Sequence, residues 1–227
     1  MDYYTISYFL MFISIIITLV AQIFVNSSYS KYKKIKNEKG ITGAEVAREI
    51  LNSYGLSDIY VTETKGFLSD HYDPTRKVVR LSTDIYNGTS IASVSVAAHE
   101  VGHAIQDKEQ YGFMKFRSMM FPLVSLSSKA GYFAIMIGII FGYLQLIWIG
   151  IALEIVILLF QLVTLPVEFD ASRRAGIEIE KNNFLNSNEQ KGSRRMLKAA
   201  AFTYVASVLT TLIEIFRLIL IARSRDD

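Results

Sequence analysis

The chain has 227 residues, 51% of them hydrophobic, a formal charge of +3 and no cysteine. The missing thiols exclude disulfides, thiolate metal sites and cysteine nucleophiles. The positive charge is local, in the run Lys31, Lys33, Lys34, Lys36 and Lys39; no aromatic-studded basic face accompanies it, so nucleic acid is not an expected partner.

Residues Ile6 to Val25 carry no charge and are long enough for one membrane span. Asp2 precedes them and the lysines follow, the reverse of a secretory signal. Residues 1–30 therefore read as an uncleaved anchor, its N-terminus outside and its lysines in the cytoplasm.

Residues 31–130 read as a cytoplasmic domain. "TGAEVAREILNSYGL" has the marks of a helix: Thr42 and Glu45 form a capping box, Val46, Ile50 and Leu51 an apolar stripe, and Gly55 a stop. "IYVTE" and "KVVRLST" are β-branched runs on either side of "DHYDPTR", where Asp73-Pro74 signals a turn. A short β-sheet is expected here, with "KVVRLS" as the edge on which an extended substrate would add a strand. "NGTS" at Asn87 to Ser90 then breaks the chain and caps a helix from Ile91 to about Lys108.

Residues 131–167 are too long for one span and nearly long enough for two. They read as a membrane hairpin turning at Tyr143 to Gln145. Lys115, Arg117 and Lys129 precede it and Arg173 and Arg174 follow, so both ends are expected in the cytoplasm. Residues 168–198 form a second cytoplasmic segment of helix, loop and helix. In residues 199–227, Ser207, Thr210, Glu214 and Arg217 give one polar face, so this helix either spans or lies in the interface. Basic residues, among them Arg223 and Arg225, flank both of its ends. Glu154, a carboxylate inside the hairpin, calls for a partner, and Arg217 lies at similar depth. The chain as a whole reads as an α+β membrane protein: mostly helical, with three or four membrane helices and a small domain carrying the sheet.

The chemistry-bearing stretch is "VAAHEVGHAIQ", Val96 to Gln106. His99 and His103 are four apart, so they project from one helical face about a turn from each other. Glu100 points roughly 100° around the helix, beside an ion held by the histidines rather than on it. This is the H-E-x-x-H arrangement of zinc hydrolases, in which zinc acts as Lewis acid and the glutamate as general base. Gly102 is expected to leave the cleft open. The alternative is two histidines satisfied by backbone or water. A di-iron membrane site would need many more histidines, and only His71 remains. A catalytic zinc takes three protein ligands and an open position. Glu168, just after Pro166, returns to the same side of the membrane as the His99 helix and is the candidate third ligand; Asp170 reads more readily as an ordinary juxtamembrane charge.

"AAHEVGHAIQ", then "LVTLPVEFDASRRA" beyond a membrane hairpin, with "TGAEVAREIL" and "DHYDPTRKVVRLS" upstream, resembles the YugP-type membrane zinc metallopeptidases. The likeness runs from Ile41 onward, in four ordered blocks. More distantly the chain is similar to the membrane gluzincins that include HtpX-type proteases. The resemblance implies a zincin-like (gluzincin) domain holding one Zn2+ ion, with His99, His103 and Glu168 as ligands and Glu100 as base. Protein or peptide chains are the implied substrates, with membrane lipid around the helices. The wider group carries aspartate where this chain has Ser172, a position that normally steadies a ligand histidine; Ser172 or Asp170 is the candidate substitute. An oxyanion donor is also needed. His71 is the first candidate, ahead of Tyr204 and Arg173.

The expected activity is a multi-pass, zinc-dependent endopeptidase with its site on the cytoplasmic face, cutting membrane or misfolded proteins. The competing class is a non-catalytic membrane scaffold keeping a relic fold, which would be expected to lose Glu100 first.

Overall fold

The structure, a computed structural model, describes residues 3–66 and 68–224; Asp2 and Arg225, two of the flanking charges used above, lie outside the described residues. Among these, four helices are long and apolar enough to cross a membrane: α1 (Tyr3–Lys33), α5 (Gly112–Phe141), α6 (Leu144–Lys181) and α7 (Ser187–Arg223). With a three-stranded sheet and three shorter helices, they make a mostly helical α+β membrane fold.

The long helices outrun the segments read from sequence. The hairpin's first helix begins at Gly112 instead of near residue 131, and α6 runs through Pro166 to Lys181. The break between them is at Gly142, whose φ of +77° suits glycine; Leu144 already starts α6. Asn183, at φ +52°, ends α6. The Phe184 N–H bonds the Ile179 carbonyl and the Asn183 N–H the Glu180 carbonyl, a Schellman closure with buried Phe184 as its apolar contact. Asn186 then caps α7: its Oδ1 accepts from the N–H groups of Asn188 and Glu189, while Glu189 Oε2 accepts from the Asn186 N–H.

The chain divides into two compact units. The first comprises Met1–Gln22, Lys115–Leu165 and Thr203–Asp227. Its apolar cluster joins Ile147 and Ile151 of α6 to Leu218 and Ile221 of α7. Phe9, Ile16, Phe121, Ile140 and Leu159 face outward, as lipid-facing side chains do. Gly150 lies against the Ile135 side chain, where small residues let membrane helices approach closely. Arg217 pairs with Glu214 of its own helix (Nε–Oε2 2.7 Å) instead of the expected Glu154. At i,i+3 the two side chains meet without bringing a second helix into register.

The second unit comprises Ile23–Met114 and Pro166–Phe202. The α2 helix (Gly43–Ser53) carries the full Thr42–Glu45 capping box. It closes through Gly55 (φ +65°), with the Leu56 N–H on the Leu51 carbonyl and the Gly55 N–H on that of Asn52. Val46, Ala47, Ile50 and Leu51 are wholly buried. Strands β1 (Tyr60–Thr64), β2 (His71–Asp73) and β3 (Val78–Ser82) form a sheet of order β1-β3-β2. β1 runs parallel to β3 and β2 antiparallel to it. β3 is therefore the central strand, and the expectation that "KVVRLS" offers a free edge is overturned. Its Val79 and Leu81 are buried and both of its backbone edges are used; His71 to Asp73, read from sequence as part of a turn, provides an edge strand. A helical turn, α3 (Thr83–Tyr86), leads to α4 (Ile91–Lys108), whose N-cap Ser90 Oγ accepts from the Ser93 N–H at 3.0 Å. Nearly all of α4 is buried.

Candidate metal centre

The α4 helix presents His99 and His103 on one face, their rings 4.9 Å apart and nearly perpendicular. Glu168 of α6 faces them. Its Oε2 lies 3.3 Å from His99 Nε2 and 3.6 Å from His103 Nε2. One ligand atom from each residue lies within 4.8 Å of the other two. With metal–ligand bonds of about 2.1 Å, the edge of a tetrahedral site is roughly 3.4 Å, so the two distances from Glu168 to the imidazoles match edges of a site around one small cation. Both histidines offer Nε2, a carboxylate oxygen completes the set, and a cluster capable of coordinating a metal is present.

Two helices must come very close for this. Gly102, on α4 between the histidine turns, meets the α6 backbone: a Cβ there would lie 2.8 Å from the Ala171 carbonyl oxygen and 3.2 Å from its Cα. The missing side chain serves helix packing, not an open cleft as the sequence reading held. Ala171 is itself wholly buried.

The outward nitrogens are engaged. Ser172 Oγ lies 3.2 Å from His99 Nδ1. His103 Nδ1 lies 3.0 Å from Gln106 Oε1, and Gln106 Nε2 donates to the Val167 carbonyl at 2.8 Å and to Asp170 Oδ2 at 3.0 Å. Gln106 has no exposed surface, and each of its polar atoms has a partner. Its amide spends both hydrogens elsewhere, so its oxygen takes the proton of His103 Nδ1, and in the neutral form of that imidazole the Nε2 lone pair faces Glu168. Asp170 reaches the site only through this amide and is anchored by Arg173 and Arg174, the latter also bridging to Glu109 at 2.7 Å.

Burial alone would raise the pKa of Glu168, but hydrogen bonds and charge from His103 and His99 outweigh it and hold the carboxyl far below its ordinary value. Glu100 behaves oppositely. Burial pushes it up to about 7; the nearby Glu168 and Asp70 carboxylates add to this, while His99 and the Tyr72 backbone N–H oppose it. Asp70 is also raised by burial, against the Ser82 N–H and hydroxyl that bond it.

His71 lies on β2, exposed, outside the His99–His103–Glu168 cluster. Its Nδ1 is 2.8 Å from the Ser69 carbonyl. A neutral His71 thus has its proton on Nδ1, and only its imidazolium form would present an Nε2 donor. Arg173 is bound to Asp170, and Tyr204 sits on α7.

The family model described as "Putative neutral zinc metallopeptidase" matches residues 7–223, almost the whole chain. The chain belongs to this zinc metallopeptidase family. A relative in Bacillus subtilis (strain 168), "Putative membrane protease YugP", is 47% identical over 208 residues, covering 91% of this chain and 92% of that protein. No solved structure matches the chain. In this metallopeptidase the H-E-x-x-H motif lies on α4 and the third donor on α6, so the two helices that meet at Gly102 carry the whole donor set.

Sequence reasoning missed Gln106 and Asp70. Gln106 had a readable signal: it is three residues after His103 and seven after His99, so it shares their helical face. Asp70 had none, because its place near Glu100 depends on its tertiary hydrogen bonds to Ser82.

Proposed function

We propose that this protein is a zinc-dependent integral-membrane endopeptidase that hydrolyses peptide bonds of membrane or misfolded proteins. The observation that carries the reading is the convergence of His99 Nε2, His103 Nε2 and a Glu168 oxygen beside the buried Glu100 carboxyl. Two histidines and a glutamate are a donor set of catalytic zinc sites. When bound, zinc supplies a Lewis acid that polarises the scissile carbonyl and makes water nucleophilic at neutral pH.

The residues do the rest. His99, His103 and Glu168 would hold the ion; Gln106, oriented by Asp170, fixes His103 in the tautomer that leaves Nε2 free, and the Ser172 hydroxyl accepts the Nδ1 proton of His99 in the corresponding form. Glu100 takes a proton from the attacking water and returns it to the leaving amine. A carboxyl brought near neutrality exchanges protons readily in both directions. We assign oxyanion stabilisation to His71 in its protonated form, since Arg173 is held by Asp170. The edge strand β2 carries His71 and offers backbone for an extended substrate.

The proposed domain layout follows the sequence: an anchor in 1–30, catalytic segments in 31–130 and 168–198, a membrane hairpin in 131–167 and a last membrane helix in 199–227. The catalytic segments lie on the cytoplasmic face by the distribution of Lys31 to Lys39, Lys115, Arg117 and Lys129. The test is hydrolysis of casein by the purified full chain with bound zinc measured in parallel. Glu100→Gln should keep its zinc and lose activity; undiminished activity overturns the base, and an inactive zinc-loaded wild type supports a scaffold. The cysteine-free chain permits single-cysteine labelling with an impermeant maleimide in intact cells. Labelling of Lys36→Cys from outside would reverse the topology.

A further inference from the structure

Some cations of the second unit are paired with carboxylates and others, Lys34, Lys36 and Lys39 among them, have no ion pair among the described residues; a group of the unpaired ones clusters on α1 and α7. Lys33, Lys77, Arg174 and Lys181 are each engaged with a carboxylate. Lys31, Lys191, Arg194, Arg195 and Lys198 have no ion pair among the described residues. These five gather around two clefts that share Arg195 and Lys198. One, of about 370 Å³, lies between α1 and α7 and is walled by Phe24, Ser27, Ser28 and Lys31. The other, of about 440 Å³, follows the start of α7 past Lys191 and Arg194 and contains a single acid, Glu180.

The stripe of residues facing the first cleft changes character at the same level on both helices. On α1 the cleft is lined by Phe24, Ser28 and Lys31, and on α7 by Lys198 and Arg195; Phe202, one turn beyond Lys198 on the same helical face, borders it, so both helices show the four- and seven-residue spacing of one face. Phe24 and Phe202 meet edge to face at 6.0 Å. Their level is where the uncharged stretch of α1 ends and the apolar stretch of α7 begins. Seven residues span roughly 10 Å, enough to cross the interfacial zone on one side of a bilayer. The walls are fixed by contacts outside the cleft. Ser193 Oγ lies 2.7 Å from Ser95 Oγ of α4 in a buried pair, and a Cβ on Gly192 would meet the Tyr32 ring at 2.7 Å.

We propose that the α1–α7 cleft binds an anionic phospholipid. Arg195, Lys198 and Lys31 take the phosphate with help from Ser27 and Ser28, and the first methylenes lie along Phe24 and Phe202. The guanidinium fork matches phosphate oxygens, and unpaired cations at this depth attract anionic lipid. The site does not depend on the metal centre.

The test is native mass spectrometry of the full chain in detergent, with phosphatidylglycerol or phosphatidylcholine added. Phosphatidylglycerol adducts should dominate. Lys31→Ala/Arg195→Ala/Lys198→Ala should weaken them about a hundredfold, at roughly tenfold or less per cation. The charge-matched control Lys39→Ala/Lys65→Ala/Arg76→Ala should retain them. Because the substituted side chains are exposed and the walls are held elsewhere, the triple variant keeps its fold, and an unchanged circular dichroism spectrum checks this. Equal loss in the control, undiminished binding in the triple variant, or displacement of the lipid by millimolar inorganic phosphate overturns the proposal; the last makes it a site for a free anion.

Discussion

Ser172 Oγ approaches Nδ1 of His99 to 3.2 Å, so a neutral hydroxyl stands where a carboxylate would make that imidazole a more basic donor. Replacing it should therefore strengthen the site. Ser172→Asp is expected to raise zinc affinity about tenfold or more, measured by chelator competition on the full chain; unchanged or weaker affinity means that the hydroxyl is not limiting.

Gln106 passes the influence of Asp170 to His103. Gln106→Leu keeps the volume but removes the acceptor for Nδ1–H, and should lower zinc affinity roughly 10- to 100-fold. Asp170→Ala should cost less, because its effect is indirect. The double variant should match Gln106→Leu alone, since both changes act through one contact. Additive losses would separate the two residues.

Gly102 sets the distance between the ligand-bearing helices. Gly102→Ala places a methyl 2.8 Å from a backbone oxygen that has no rotamer by which to retreat. Expected are a loss of stability of about 1–3 kcal/mol and a loss of zinc out of proportion to it, because Glu168 moves away with α6. Zinc titration beside thermal melting in detergent separates the two effects.

The raised pKa of Glu100 has a definite consequence for the metal-free protein. Between the ordinary value of 4.5 and about 7, the folded chain holds a proton that the unfolded chain has released. Stability from this group is therefore highest at low pH, falls as pH rises through that window and levels above it, by up to about 3 kcal/mol. Glu100→Gln resembles the protonated form and removes this dependence. Melting of the chelator-treated proteins between pH 5 and 8 should show a fall in wild type that is absent from the variant.

The deep depression of Glu168 works in the opposite sense. Its ionised form contributes stability above pH 4.5, and this is lost as pH falls below that value toward the folded pKa. Glu168→Gln should blunt the acid limb of unfolding and, in the metal-loaded protein, reduce zinc occupancy. Equal zinc in both proteins removes Glu168 from the donor set.

Features with a short-range cause could be read from the chain alone. The Thr42–Glu45 box, the Gly55 stop, the start of α4 at Ile91 and the shared face of His99 and His103 depend on spacings of a few residues, which helical geometry converts directly into position. The apolar stretches announced the membrane helices because their length must match the bilayer. Relations between distant residues required tertiary structure. β3 became the central strand because β1 and β2 both pair with it, and Arg217 took Glu214 because that partner was one turn away. The arrangement of the candidate donors also depended on tertiary contacts: ångström-scale packing of Gly102 on Ala171 holds Glu168 against two imidazoles more than sixty residues earlier, Gln106 fixes the tautomer of His103, and Ser172 approaches His99 Nδ1. The sequence by itself determined the helices, their caps and the candidate donors, because those are set by local chemistry. Only the folded chain decided which atoms face one another, because that distance is the sum of every packing contact between them.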